Sequence, residues 1–204
     1  MDTAAAISAV PELPPYPGIA RADVLLVESA ADEAAAVAAL QVADAVGFDT
    51  ESKPTFKVGE VSTGPHLIQL ATDSRVFLFP VARLTRFEGL QAILESQQIL
   101  KVGFGLESDV ARLQTKLGIA AQHVLDLARA LRSESHKGSV GAKTAVALFF
   151  GQKLQKSKKA STSNWANAQL TERQILYAAD DAQVALRIYR AALASDPTLT
   201  RFIR

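Results

Sequence analysis

The chain contains no cysteine among its 204 residues. That absence excludes a disulfide scaffold and any thiolate metal or redox site, and it fits a reducing compartment. Apolar runs are short, and none approaches the roughly 18 residues of a membrane span. The opening "MDTAAAISAVPELPPYPG" lacks the basic start of a secretory signal, and Pro11, Pro14, Pro15 and Pro17 forbid a helix there. The expectation is a loose, proline-containing arm over residues 1–20 and a single domain over residues 21–204, in the cytoplasm and away from membranes. Long polar tracts are missing as well. With 49% hydrophobic and 21% charged residues, the chain should fold around a core rather than stay disordered. Excess charge of one sign is also absent, the net value being +1. The distribution is less even: seven basic residues and one acid, Glu134, lie between Arg132 and Lys159. Within them, "QKLQKSKKASTSNW" carries Lys153, Lys156, Lys158 and Lys159 in a serine-rich stretch that reads as a loop. Such a loop is either plain solvated surface or a local site for a polyanion.

What is present is alternation. "ADVLLVES" (22–29) reads as a strand and "ADEAAAVAALQVADA" (31–45) as a helix. "VGFDTES" (46–52) is the next strand, followed by a Pro/Gly-containing loop from Lys53 to Pro65. "HLIQLAT" (66–72) and "VFLF" (76–79) flank Asp73-Ser74-Arg75, which suits a hairpin turn. "RFEGLQAILES" and "GLESDVARLQTKLG" are helical, "ILKVGF" (99–104) and "HVLDL" (123–127) are strands, and the remainder is largely helical. Hairpins first and strand–helix units later imply an α/β fold, a mixed sheet flanked by helices. No internal repeat interrupts it.

Acids stand out where core is expected. Strand alternation puts Asp49 and Glu51 on one face, about 7 Å apart, with Phe48 and Thr50 on the other. Two carboxylates in a dry site cannot both stay ionised without a cation. Hard oxygen donors point to Mg²⁺ or Mn²⁺. A bare D-x-E is more often a strand end where both acids meet water, so it needs company. The last helix supplies it. "LTERQILYAADDAQVALRIYR" opens with Thr171 and Gln174 at capping-box spacing and with Leu170 and Ile175 placed as a hydrophobic staple. On the helical wheel, Asp181 shares an inward stripe with Tyr177, Val184 and Ile188. Asp180 falls toward Arg173 and Arg187 and reads as a surface charge. Asp109 lies at the margin of the stripe Leu106, Val110, Leu113, Leu117, with Glu107 facing away; alone, it reads as a first-turn acid favoured by the helix dipole. Gly103-Phe104-Gly105 with Asp126 sketches a dinucleotide fingerprint, but Ser108 stands where the third glycine belongs and antiparallel strands precede it. That reading is set aside.

The ordered set Asp49-x-Glu51, Asp109, Tyr177-x-x-x-Asp181 resembles the exonuclease motifs of the DEDD superfamily in its tyrosine-bearing (DEDDy) branch. That branch includes ribonuclease D, the proofreading domains of family A and B DNA polymerases, and the Werner-syndrome exonuclease domain. "VGFDTES", "LIQLAT", "KVGFGLESD" and "SNWANAQLTERQILYAADDA" are most similar to the Werner-like group, over about residues 22 to 190. The resemblance implies a ribonuclease-H-like fold and 3′→5′ removal of nucleoside monophosphates from DNA or RNA with a free 3′ end. It implies two divalent ions about 4 Å apart on Asp49, Glu51, Asp109 and Asp181. Asp49 would bridge both ions, Asp109 would act through water, and Tyr177 would orient the attacking water. It also suggests a stand-alone nuclease domain without helicase or accessory helical parts. Lys153, Lys156, Lys158 and Lys159 are candidates for the nucleic-acid backbone, and Phe56 for base stacking. Trp165 reads as packing, and neither His66 nor His136 has ligand spacing. A non-cutting nucleic-acid-binding or scaffolding protein on the same fold is the alternative; the complete acid set speaks against it.

Overall fold

The computed structural model describes residues 12–57, 59–84, 86–132 and 138–204. His136 and residues 1–11 lie outside them. Six strands form one sheet: β1 (Val24–Leu26), β2 (Ala45–Glu51), β3 (Leu67–Ala71), β4 (Val76–Pro80), β5 (Leu100–Gly103) and β6 (Val124–Asp126), in spatial order β1-β4-β3-β2-β5-β6. The strands β2, β3 and β4 run as an antiparallel meander, and β5 and β6 continue parallel from β2. The sheet is mixed, as the alternation of elements implies. One pairing is not visible in sequence: β1 adds to β4 in parallel, as the edge strand.

Period-2 patterning assigns the two faces. Val46, Phe48, Ile68, Leu70, Phe77 and Phe79 point to one side. There they pack under α1 (Ala30–Gln41), α2 (Glu88–Glu95) and α3 (Glu107–Arg112). The helix read over 31–45 stops at Gln41, because Asp44 and Ala45 already lead into β2. The α3 helix continues as one π turn, Leu113–Leu117, and ends at Gly118, whose φ of 71° suits a left-handed cap. Lys101 is completely buried on this side, where its ammonium donates to the carbonyls of Ser96 at 2.6 Å and Ile99 at 2.8 Å.

The opposite face belongs to α7 (Glu172–Ser195), with α5 (Ala142–Phe150) beside it. A capping box starts α7: Thr171 Oγ1 accepts from the Gln174 amide, and the Gln174 side chain accepts from the Thr171 amide. This fixes its start to the residue and stabilises it by about 1 kcal/mol. No described helix is long and apolar enough to cross a membrane.

Residues 12–20 differ from the expected loose arm. Tyr16 and Ile19 are buried; the Tyr16 amide donates to the Lys153 carbonyl, and the Lys153 amide donates to the Pro14 carbonyl. Arg187 donates to the Tyr16 hydroxyl at 2.8 Å. Two buried apolar anchors, Tyr16 and Ile19, on a short, proline-stiffened segment offset its ordering entropy.

Candidate active site

Three elements carry the acids to the carboxyl end of β2. Gly47, Asp49 and Glu51 share the face that α7 crosses. A Cβ on Gly47 would lie 1.9 Å from the Ala182 carbonyl oxygen, so only glycine lets the α7 backbone approach this closely. That contact sets Asp181, one residue before Ala182, over Asp49. On the other flank, a Cβ on Gly103 would meet the Phe48 carbonyl at 2.3 Å. The close passage of β5 brings the start of α3, and with it Asp109, to the same end. Asp109 is buried, and the Thr50 hydroxyl donates to its carboxylate.

The electrostatics show how near these groups are. Burial, then the charges of Asp181 and Asp109, hold Asp49 well above the usual carboxylate range. Burial, then the Asp49 and Asp181 charges, push Glu51 up to about 9. Burial raises Asp109, with the Thr50 hydroxyl and Arg112, 3.8 Å away, opposing it. Burial likewise raises Asp181, and Lys156 opposes. Lys156 Nζ lies 2.6 Å from Asp181 Oδ1 and 5.8 Å from the centre of the Tyr177 ring. Burial alone would depress this lysine; the Asp181 carboxylate overcomes it and raises Lys156 instead. Tyr177 is also raised, by burial and then by the Asp181 and Glu51 charges. Its hydroxyl therefore stays protonated and acts as a donor.

Asp49, Glu51, Asp109, Asp181 and Tyr177 thus share one neighbourhood, and Lys156 is brought into it. The other substrate candidates are not. Lys153 turns away to pair with Glu12. Lys158 and Lys159 are exposed on α6 (Lys158–Ser161), a helical turn capped by Ser157 inside a stretch that reads as loop. Phe56 is 82% exposed, in a loop held where the Phe56 and Lys57 amides donate to Glu60. His66 Nδ1 accepts from the Lys53 amide, outside the acid cluster. Trp165 is buried, its ring centre 6.1 Å from that of Tyr177.

Asp180 corrects the sequence reading. It is not a surface charge paired with arginines: its Oδ1 accepts from the Ile19 amide at 2.8 Å, pinning the N-terminal segment to α7. Burial, opposed by that amide, lifts it to about 6.

Two participants escaped sequence reasoning, and a third was given only a backbone-contact role. Thr50, opposite the acids on β2, orients Asp109. Gln69, the register partner of Asp49, is completely buried, and neither amide atom has a partner among the described residues. A glutamine amid the apolar "LIQLA" was its signal. Lys156 was noticed only as one basic residue in a run, and nothing local marks it as inward-facing.

Among the described residues no three His, Cys, Asp or Glu side chains are gathered into a ready metal-binding group. The donor chemistry nevertheless suits a hard divalent cation. Four buried or half-buried carboxylates face a single ammonium, and burial, with mutual repulsion at Asp49 and Glu51, raises their pKa values.

Known proteins resemble the chain in sequence and in fold. The 3′-5′ exonuclease family pattern matches residues 25–193. The bifunctional 3′-5′ exonuclease/ATP-dependent helicase WRN of Mus musculus is 32% identical over 149 residues, covering 72% of this chain and 11% of that protein. The exonuclease mut-7 homolog of Homo sapiens is 29% identical over 181 residues, covering 76% of this chain and 20% of that protein. The chain therefore spans only a small part of these relatives' length. Among solved structures, the Aedes aegypti Nibbler EXO domain superposes with a TM-score of 0.71 at 29% identity, covering 86% of this chain and 89% of that domain. Escherichia coli RNase D gives 0.69 at 25% identity, covering 87% of this chain and 48% of the enzyme. The sheet flanked by helices is the ribonuclease-H-like fold of these exonuclease domains, and the chain belongs to the 3′-5′ exonuclease family.

Proposed function

We propose that the chain is a two-metal-ion 3′→5′ exonuclease that hydrolyses the terminal phosphodiester of a nucleic-acid strand and releases nucleoside monophosphates. The carrying observation is the carboxylate cluster at the end of β2, whose raised pKa values call for added positive charge. Asp49, Glu51, Asp109 and Asp181 would hold two divalent ions, Mg²⁺ or Mn²⁺. Bound there, such ions lower the pKa of water and stabilise charge on the leaving oxygen.

The chain's own groups do the rest. Thr50 orients Asp109 through its hydroxyl. Tyr177, kept protonated beside Asp181, donates to the attacking water and holds it in line; it is not the base. Lys156, whose ammonium lies 2.6 Å from Asp181, would also serve a non-bridging phosphate oxygen. Lys158 and Lys159, which are exposed, would track the strand, and exposed Phe56 would stack a base; Lys153, paired with Glu12, is dropped from that set. Residues 21–204 work as one exonuclease domain, with residues 12–20 docked on it. One neighbouring structure, Trypanosoma brucei RNase D, is a complex with RNA U12, which makes RNA a substrate to test beside DNA.

A second reading is a protein on this fold that binds nucleic acid without cutting it. It draws on Lys156, which already neutralises Asp181 and could keep cations out. A time course on 5′-labelled single-stranded DNA and RNA, with Mg²⁺, Mn²⁺ or EDTA, separates the two. A ladder shortening from the 3′ end and absent in EDTA supports hydrolysis. Salt-sensitive binding with no ladder in either metal supports the second reading.

A further inference from the structure

A cavity of about 850 Å³ opens beside β6, between α3, the segment 121–123, α4 (Leu127–Ala130) and the C-terminal 3-10 turn Pro197–Phe202. None of the clustered acids, nor Tyr177 or Lys156, lines it. The volume is in the range of sites that enclose a small ligand of roughly nucleotide size. Leu106, Val110, Phe202 and Ile203 give its lining apolar surface. Arg129, Arg201 and Arg204 line it together with Glu107 and Asp126, and both acids are already engaged. Glu107 accepts from Arg129 at 2.6 Å, and Asp126 Oδ1 accepts from the Gly105 and Ala128 amides at 2.8 and 2.9 Å. The Arg201 guanidinium sits 4.8 Å from the Phe202 ring centre, presenting a cation and a π face together. His123 completes the wall. Its φ of 53° is the only positive value at a non-glycine among the described residues, and its Nδ1 is buried without a hydrogen-bond partner among them. Strained backbone in a cavity wall points to a ligand clamp.

We propose that this cavity is a nucleotide-binding site separate from the acid cluster. The base lies against Val110 and Phe202, and the phosphate meets Arg201 and Arg204. An apolar ligand leaves the arginines without a counter-charge, and an inorganic anion leaves the apolar lining unused. A phosphate joined to a flat aromatic ring uses both. That chemistry belongs equally to a free mononucleotide and to one unit of a bound strand. The proposal does not depend on hydrolysis.

Calorimetry on the full chain in EDTA and low salt tests it, with adenosine 5′-monophosphate, adenosine, inorganic phosphate and a tetra-adenylate as probes. The monophosphate should bind, with adenosine and phosphate each weaker by about tenfold or more. Tetra-adenylate binding tighter than the monophosphate assigns the site to a strand; weaker binding assigns it to the free mononucleotide. Arg201→Glu, at an exposed position, should weaken the monophosphate about tenfold or more, and Ala121→Trp, which fills the cavity, should abolish binding. Both variants should keep the wild-type 3′ ladder. The proposal is overturned by three results: no monophosphate binding, equal affinity for phosphate alone, or an affinity that survives Arg201→Glu. Loss of the ladder in the wild type overturns the nuclease reading instead and leaves the calorimetry intact.

Discussion

Burial, then the charges of Asp181 and Asp109, hold the Asp49 carboxylate well above its usual range. Replacing it with alanine should bring the 3′ ladder to background while leaving the fold intact, because removing a repelled buried carboxylate relieves the metal-free protein. Circular dichroism and a thermal melt check the second half, and retained turnover would remove Asp49 from the chemistry. Tyr177 calls for a subtler substitution. Losing only its hydroxyl, in Tyr177→Phe, should lower kcat roughly 100-fold with KM near wild type, as expected when a reacting group loses its alignment. Wild-type kinetics would make the ring a packing partner of Trp165 and nothing more.

At the scale of elements, the decisive contact is helix on strand. The α7 backbone rests on β2 because Gly47 has no Cβ, and the obstacle an alanine would meet is the Ala182 carbonyl, not a flexible side chain. Gly47→Ala should cost about 3 kcal/mol, the upper end of ordinary overpacking, visible as a lowered denaturant midpoint. Turnover should fall with it, since α7 carries both Tyr177 and Asp181. The N-terminal segment hangs on a neighbouring residue of the same helix. Asp180→Ala removes the acceptor of the Ile19 amide. Faster hydrogen exchange at residues 16–19, by about tenfold or more, is the expected result; unchanged protection would mean that Tyr16 and its Arg187 contact hold the segment alone.

For the whole molecule, the acid cluster ties stability to pH. Glu51 moves from an ordinary 4.5 to about 9, and Asp49, Asp109 and Asp181 move in the same direction. A folded state with raised acid pKa values binds more protons than the unfolded chain, so stability falls as pH rises between those limits. Lys101, lowered by burial to about 8, acts in the opposite sense only above that pH. In EDTA the thermal midpoint should therefore drop steadily from pH 5 to pH 8, and Glu51→Gln should flatten the slope. A midpoint that rises over this range would contradict the burial of the cluster. Saturating Mn²⁺ should reduce the dependence, because bound cations replace the protons.

Sequence by itself determined most of the frame. Short apolar runs between turn residues marked β1 through β6, and the wheel of α7 put Asp181 inward, because both signals are local to a few residues. The capping box fixed the start of α7 for the same reason. Tertiary structure alone decided what depends on distant segments meeting. The parallel pairing of β1 with β4 joins residues some fifty positions apart. Lys156 became the cation of the cluster only because its loop folds back onto α7. Asp180 sits on the arc its wheel position gives, yet its partner there is the Ile19 amide, supplied from the other end of the chain. Periodicity gives a side chain its direction, but the group waiting in that direction is set by packing between elements far apart in sequence.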